Sequence, residues 1–233
     1  MKVVVVGGHT RNIGKTSVMA ALIREFAPLG WSAVKITQYG HGVCSHDGHA
    51  CECAPQEHPF AVTEERDPQG RADTSRFLAA GARRSLWLRA RQGQLAPAVP
   101  LLRRKLGRAR WVVIESNSIL EFIDPLLYIA VLDTSRADFK ASARRWLSRA
   151  HALITVENGG ETTRVARQDN HSGRVWTAFD AGLPSKPTFP VRAPEFWSAS
   201  LTDFFRERIR SAPDVLSDAP KGVTASEDQT WPH

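Results

Sequence analysis

The sequence predicts an α/β domain with a mostly parallel central sheet and helices on both faces. Three observations carry that prediction. Uninterrupted apolar runs such as Val3-Val4-Val5-Val6 suit central parallel strands that are covered on both sides. These runs alternate with segments of helical period, the order that produces parallel strands joined by crossover helices. With 233 residues, 42% of them hydrophobic and 24% charged, the chain is long enough to bury one sizeable core.

Taken in order, residues 2–6 form the first strand, and a helix follows over 15–27. Val18, Leu22 and Phe26 recur every four residues there, with Met19 and Ile23 widening the apolar stripe. Gly30 closes that unit and residues 31–36 make the second strand. Residues 37–72 mix glycines, histidines, cysteines and acids without a period, which predicts a Cys/His-rich loop or insertion. Asp73 is placed to cap a helix over 74–82. A short strand at 85–89 leads to a helix at 94–106, whose Pro97 and Pro100 fit its first turns or kink it. Residues 110–115 and 127–132 are two further buried strands. A helix at 139–149, strands at 152–156 and 175–179, and a closing helix at 194–209 complete the domain, taken as 1–210. From Ser211 the composition turns polar and irregular, so 211–233 reads as a flexible tail.

Composition narrows the partners. No apolar run reaches the ~20 residues of a membrane span, and the first strand follows Met1-Lys2 directly, so a cytoplasmic protein without membrane partners is expected. The net charge is +7, with arginine clusters at Arg83-Arg84, Arg103-Arg104 and Arg144-Arg145. Such a surface draws anions of many kinds. No nucleic-acid-binding module accompanies it, so nucleic acid is not the expected partner.

The first βα junction carries the most specific signal. After the valine run comes Gly8-His9-Thr10-Arg11-Asn12-Ile13-Gly14-Lys15-Thr16-Ser17. Glycines let backbone N–H groups approach an anion closely, and free N–H groups at a helix start favour phosphate. A lysine at this position reaches the β- and γ-phosphates, and the following hydroxyl coordinates Mg2+. Residues 8–17 are therefore the expected nucleotide-binding loop. Five residues separate Gly8 from Gly14, whereas the common phosphate loop has four, and His9 stands where that loop has glycine.

That spacing resembles the loop of dethiobiotin synthetase, within the P-loop class that includes MinD-like ATPases. Lys35 ends the second strand in "GWSAVKITQYG" and Glu115 ends a later one in "WVVIESNS", as in that family. The resemblance implies catalytic roles for Lys15, Lys35 and Glu115, with Thr16 and Glu115 holding Mg2+. The middle of the chain also resembles the molybdopterin-guanine dinucleotide biosynthesis protein B family. Lys35, His41, the segment "DTSRFLAAGA" and the strand end "VIES" match that family in order and spacing over about residues 1–120. This second likeness implies substrate contacts from Asp73 and Arg76. The chain departs from it in its longer loop and in Ser116, where the family has glycine. Both families dimerise, which makes a homodimer an arrangement to be tested.

Other candidates follow from position. Asp133 ends the strand after Glu115 and competes with it for Mg2+. Asn158, following "ALITVE", is placed to read the base, and the absence of an Asn-Lys-x-Asp motif favours ATP over GTP. Cys44, Cys51, Cys53 and His58 offer the donors of a tetrahedral Zn2+ site, with His46 or His49 as substitutes. Free or redox-active thiols are the alternative. The expected function is Mg2+-dependent nucleotide hydrolysis or phosphoryl transfer to an unidentified small-molecule acceptor, as a P-loop NTPase or a small-molecule kinase or ligase of cofactor metabolism. The alternative is a nucleotide-gated protein that binds or delivers a metal or cofactor, with slow hydrolysis.

Overall fold

The valine run becomes one of the two central strands of a wide sheet. The computed structural model describes residues 1–40, 59–133, 135, 136, 138–157 and 186–211. Among them eight strands occur: β1 (Lys2–Gly8), β2 (Ser32–Tyr39), β3 (Phe60–Glu65), β4 (Arg84–Arg91), β5 (Trp111–Glu115), β6 (Leu127–Leu132), β7 (Ala152–Val156) and β8 (Thr188–Val191). They lie side by side in the order β3-β4-β2-β5-β1-β6-β7-β8. Every pairing is parallel except that of β3 with β4.

Among the described residues five α-helices accompany them: α1 (Lys15–Glu25), α2 (Asp73–Ala79), α3 (Leu95–Leu106), α4 (Ala141–Trp146) and α5 (Ala199–Arg210). Two separate cores show that helices cover both faces. On one, Val4, Val6, Val113 and Ile129 pack with Val18, Leu22 and Ile23 of α1, Phe77 of α2 and Leu201 and Phe205 of α5. On the other, Val5, Val34, Leu88 and Ile114 pack with Leu95, Val99 and Leu102 of α3 and with Leu147. Successive residues of β1 enter opposite cores, the period-2 consequence of a strand covered on both sides. No described helix is long and apolar enough to cross a membrane.

Several boundaries differ from expectation, each for a local reason. Part of the segment taken as loop is ordered as β3, an edge strand whose Glu64 accepts two hydrogen bonds from Arg84 at 2.7 and 2.9 Å. Asp73 does not cap α2. The cap is Ala72, without a side-chain bond, and Asp73 is the first helical residue with its carboxylate on Lys35 at 2.7 Å. Helix α2 stops at Ala79 because Gly81, at φ 102°, turns the chain out of it. Helix α1 ends at Glu25, before a 3-10 turn over Ala27–Leu29 that holds Pro28. The closing helix starts at Ala199, where Ser198 accepts the N–H of Leu201, rather than at Pro194. Helix α4 is shorter than expected at both ends: its last part tightens into a 3-10 turn over Leu147–Arg149, and Phe139 and Lys140 turn to the loop after β1. The edge strand β8 contains Pro190, which an interior strand would not tolerate. The expected strand at 175–179, the tail beyond Ser211, Asn158 and the Cys44, Cys51, Cys53 and His58 cluster with its alternates lie outside the described residues.

Candidate functional site

Strand β1 sits where the chain reverses its direction across the sheet, with β5 on one side and β6 on the other. In open parallel sheets, the crevice beyond the strand ends at such a point is where ligands bind. The β1–α1 loop occupies it. Helix α1 begins at Lys15 with Gly14 as its cap, at φ 86° and ψ 7°. A left-handed conformation suits glycine, and a Cβ there would also meet the Phe196 ring at 2.9 Å. Asn12 is left-handed too, at φ 54°.

The longer loop is anchored by its own side chains. His9, Thr10 and Ile13 are all buried. Ile13 joins the α1-side core. His9 lies against Phe139, with ring centroids 4.8 Å apart, and burial pushes its imidazole below the ordinary pKa. Thr10 donates its hydroxyl to Asp138. Three of the five residues between Gly8 and Gly14 thus fasten the loop, which accounts for His9 standing where a shorter loop has glycine. The Lys15 ammonium folds back to donate to the Thr10 carbonyl. Arg11 is half-buried and Asn12 exposed.

Glu115 organises the other side. The parallel register sets Val6 of β1 opposite Glu115 of β5, and Glu115 opposite Lys35 of β2. All three therefore share one face, that of α1, at the level where β5 ends. Strand β2 runs on to Tyr39 through its pairing with β4, so Lys35 lies within its strand and not at the expected end. Glu115 is only 4% exposed, and its two oxygens are both used. Thr16 donates to Oε2 at 2.9 Å, and Lys35 donates to Oε1 at 2.6 Å. Lys35 also meets Asp73 at 2.7 Å. Arg76 reaches Asp73 at 3.7 Å and donates to the Ser17 hydroxyl at 3.0 Å. Lys15, Thr16, Ser17, Lys35, Asp73, Arg76 and Glu115, singled out separately in the sequence, are thereby drawn together. Asp133 is buried at the end of β6, but its carboxylate accepts from Ser135 backbone and hydroxyl and faces Arg136 at 3.7 Å.

These surroundings act on the lysines in opposite senses. Burial drives Lys15 down to about 8; Glu115 opposes this, while Lys140 and Lys35 add to it. Burial acts against Lys35 as well, but Glu115 and Asp73 outweigh it and raise the pKa above the ordinary lysine value. Asp73 shows the reciprocal effect, since burial is overcome by Lys35 and its carboxyl falls below the usual range.

Two participants escaped the sequence reading. Asn117, two residues beyond Glu115, clasps the backbone of Gly8: its Oδ1 accepts the Gly8 N–H at 3.0 Å, and its Nδ2 donates to the Gly8 carbonyl at 2.8 Å. Gly7 makes room for it, because a Cβ there would lie 2.1 Å from Asn117 Oδ1. Lys140 is the second, brought in from beyond β6. An asparagine after "IES" is a faint signal for the first; Lys140 has none.

Among the described residues, no group of three or more His, Cys, Asp or Glu side chains is placed to hold a metal ion. The Thr16 hydroxyl and the Glu115 carboxylate do form the sparse donor pair that suits Mg2+, which keeps waters and takes its remaining ligands from phosphate.

A parallel sheet whose first βα junction holds this loop, with a carboxylate of the adjoining strand on its threonine, defines a P-loop α/β architecture. No family model and no curated protein matches the sequence. Among solved structures, LpxK from Aquifex aeolicus, determined in complex with ATP, is 14% identical with a TM-score of 0.45. The match covers 82% of this chain and 53% of LpxK, so this chain spans about half of that protein's length. A chain of the MinC:MinD cell division protein complex of Aquifex aeolicus is 12% identical with a TM-score of 0.40, over 89% of this chain and 86% of its own.

Proposed function

We propose that the chain binds a Mg2+-nucleoside triphosphate along residues 8–17 and hydrolyses it or transfers its terminal phosphoryl group to a small-molecule acceptor. The observation that carries this reading is the convergence of Thr16 and Lys35 on the two oxygens of one buried carboxylate, Glu115, beside Lys15 at a helix start. Three elements distant in sequence supply those groups, and the loop and helix dipole supply the anion-binding N–H groups.

In this reading Thr16 and Glu115 hold Mg2+, which when bound neutralises charge on the outer phosphates. Lys15 binds the β- and γ-oxygens, giving up the Thr10 carbonyl to do so. Lys35, already raised in pKa, stays charged and stabilises the negative charge on the transferring group. Phosphoryl transfer asks mainly for positioning and electrostatics, so this set is sufficient. The acceptor lies over α2 and is met by Arg76 and Asp73. ATP is favoured over GTP because the guanine-reading motif is missing from the sequence. Asn158 remains the proposed base contact, and a Zn2+ site at Cys44, Cys51, Cys53 and His58 remains part of the proposal.

Titration calorimetry with ATP and GTP, with and without Mg2+, tests this directly. Lys15→Ala should weaken triphosphate binding by at least about a hundredfold, the loss of a buried charge-assisted contact. Equal affinity in the parent and the variant would refute the assignment.

A further inference from the structure

Residues 138–140, between β6 and α4, have no part in the function proposed so far, yet they are tied to the phosphate loop by three successive contacts. Thr10 donates to the Asp138 carboxylate. Phe139 covers the His9 ring at 4.8 Å, with the planes inclined at 43°. The Lys140 backbone N–H donates to the His9 carbonyl at 2.9 Å. Three consecutive residues thus hold two consecutive loop residues, and the position of Lys140 follows that of the loop itself.

We propose that Lys140 is a third phosphate-binding lysine of this site, carried by the 138–140 strap to the terminal phosphate of a bound nucleoside triphosphate. The inference rests on the reading of residues 8–17 as a nucleotide site and adds to it a residue that no motif marks. Its place at the outer phosphate follows from Lys15. A lysine in that position serves the β- and γ-oxygens, and here its ammonium lies on the Thr10 carbonyl. Thr10 therefore marks the outer-phosphate end of the loop, and the strap is fastened to Thr10 and its neighbour His9.

Charge supports the same placement. The Lys140 amine is near enough to Arg11, Lys35 and Lys15 to be repelled by them, and near enough to Glu115 and Asp138 to be attracted. Burial of the amine comes first among the effects that lower its pKa, although the residue as a whole is exposed. Lys15, Lys35, Lys140, Arg11 and Arg76 face three carboxylates, those of Glu115, Asp73 and Asp138. A polyphosphate supplies the negative charge that such a surplus lacks.

The test compares affinities for Mg-ATP and Mg-ADP in the parent, Lys140→Met and Lys140→Arg. Loss of one charged contact made only to the terminal phosphate should weaken ATP binding about tenfold or more and ADP binding less than about threefold. Arginine should restore most of the ATP affinity. Unchanged ATP affinity in Lys140→Met, or equal weakening for both nucleotides, overturns the inference while leaving the nucleotide site standing. A parent protein that binds neither nucleotide overturns the underlying reading instead, so the two failures are distinguishable. Thermal unfolding of each variant checks the fold, and Lys140→Gln replaces Lys140→Met if the latter is not folded.

Discussion

Lys35 and Lys15 enter the same crevice, yet the two sides of the phosphate loop treat them in opposite ways. On the β5 side, Lys35 lies between Glu115 and Asp73 and is held more firmly in its charged form. On the β6 side, Lys15 is turned to a carbonyl, and both it and Lys140 are pushed toward the neutral form. The difference teaches which half of the site is complete by itself. The β5 half balances its charges internally and contributes to the fold. The β6 half carries cations that burial and one another hold toward the neutral form, with Glu115 and Asp138 offsetting this in part. In the proposed function a bound polyphosphate offsets the rest, stability yielded to function.

Breaking the balanced half should give the largest effect. Lys35→Met leaves Glu115 buried without its ammonium and removes the cation that holds the Asp73 carboxyl down. Loss of one partner from a largely buried pair costs about 3 kcal/mol, or about 10 °C in Tm for a chain of this size. Thermal unfolding at neutral pH measures it. A loss below about 1 kcal/mol would mean that the β5 half is not the self-sufficient one.

The β6 half should respond with the opposite sign. The folded pKa of Lys15, about 8, lies below its unfolded value of 10.5. Between those values the unfolded chain binds more protons, so stability rises with pH there; the penalty is fully present below about 8 and relieved toward 10.5. Lys35, raised, contributes stability that is present below its unfolded pKa and lost as pH climbs through its folded one. Lys15→Met should therefore stabilise the nucleotide-free protein at pH 7 by about 2 kcal/mol, with the gain shrinking as the pH approaches 10. Denaturant unfolding across that range measures it, and a variant less stable than the parent at pH 7 would undo the contrast.

The same contrast explains what could be read from the sequence. The loop was legible because its chemistry is contiguous: glycine, lysine and threonine follow one another directly after a buried strand. Glu115 is legible as a strand end, since parallel strands deliver their last residues to one edge. Lys35, expected at the end of β2, lies within it because pairing with β4 carries the strand on to Tyr39. The register that sets the two opposite each other is not legible. An acid before a helical run reads as a cap, but the Asp73 carboxylate is drawn instead to a lysine 38 positions earlier. Strand β3 was hidden because it is held by pairing with β4 and by Arg84, neither of which its own sequence advertises. Asn117 and Lys140 act through backbone contacts with Gly8 and His9 made by chain folding alone. Local pattern thus marks the contiguous loop and the end of β5, whereas the pairing of Lys35 with Glu115 and Asp73 and the contacts of residues 138–140 with the loop arise from tertiary folding.

Arg76 provides the finest discrimination between folding and function on the β5 side. It is 48% exposed, and its contacts with Asp73 and Ser17 are made at the surface. Exposed pairs of this kind contribute between nothing and about 1 kcal/mol, and Asp73 keeps Lys35 when the guanidinium is removed. Arg76→Ala should accordingly shift Tm by no more than about 3 °C and leave the affinity for Mg-ATP within about threefold. If the acceptor lies over α2, the loss should fall on acceptor-stimulated turnover, lowering kcat/KM for the acceptor about tenfold through the missing charged contact. Equal losses in basal hydrolysis and in acceptor-stimulated turnover would place Arg76 on the nucleotide instead and move the acceptor away from α2. A large fall in stability would show that even the exposed rim of the β5 side is bound up with the fold.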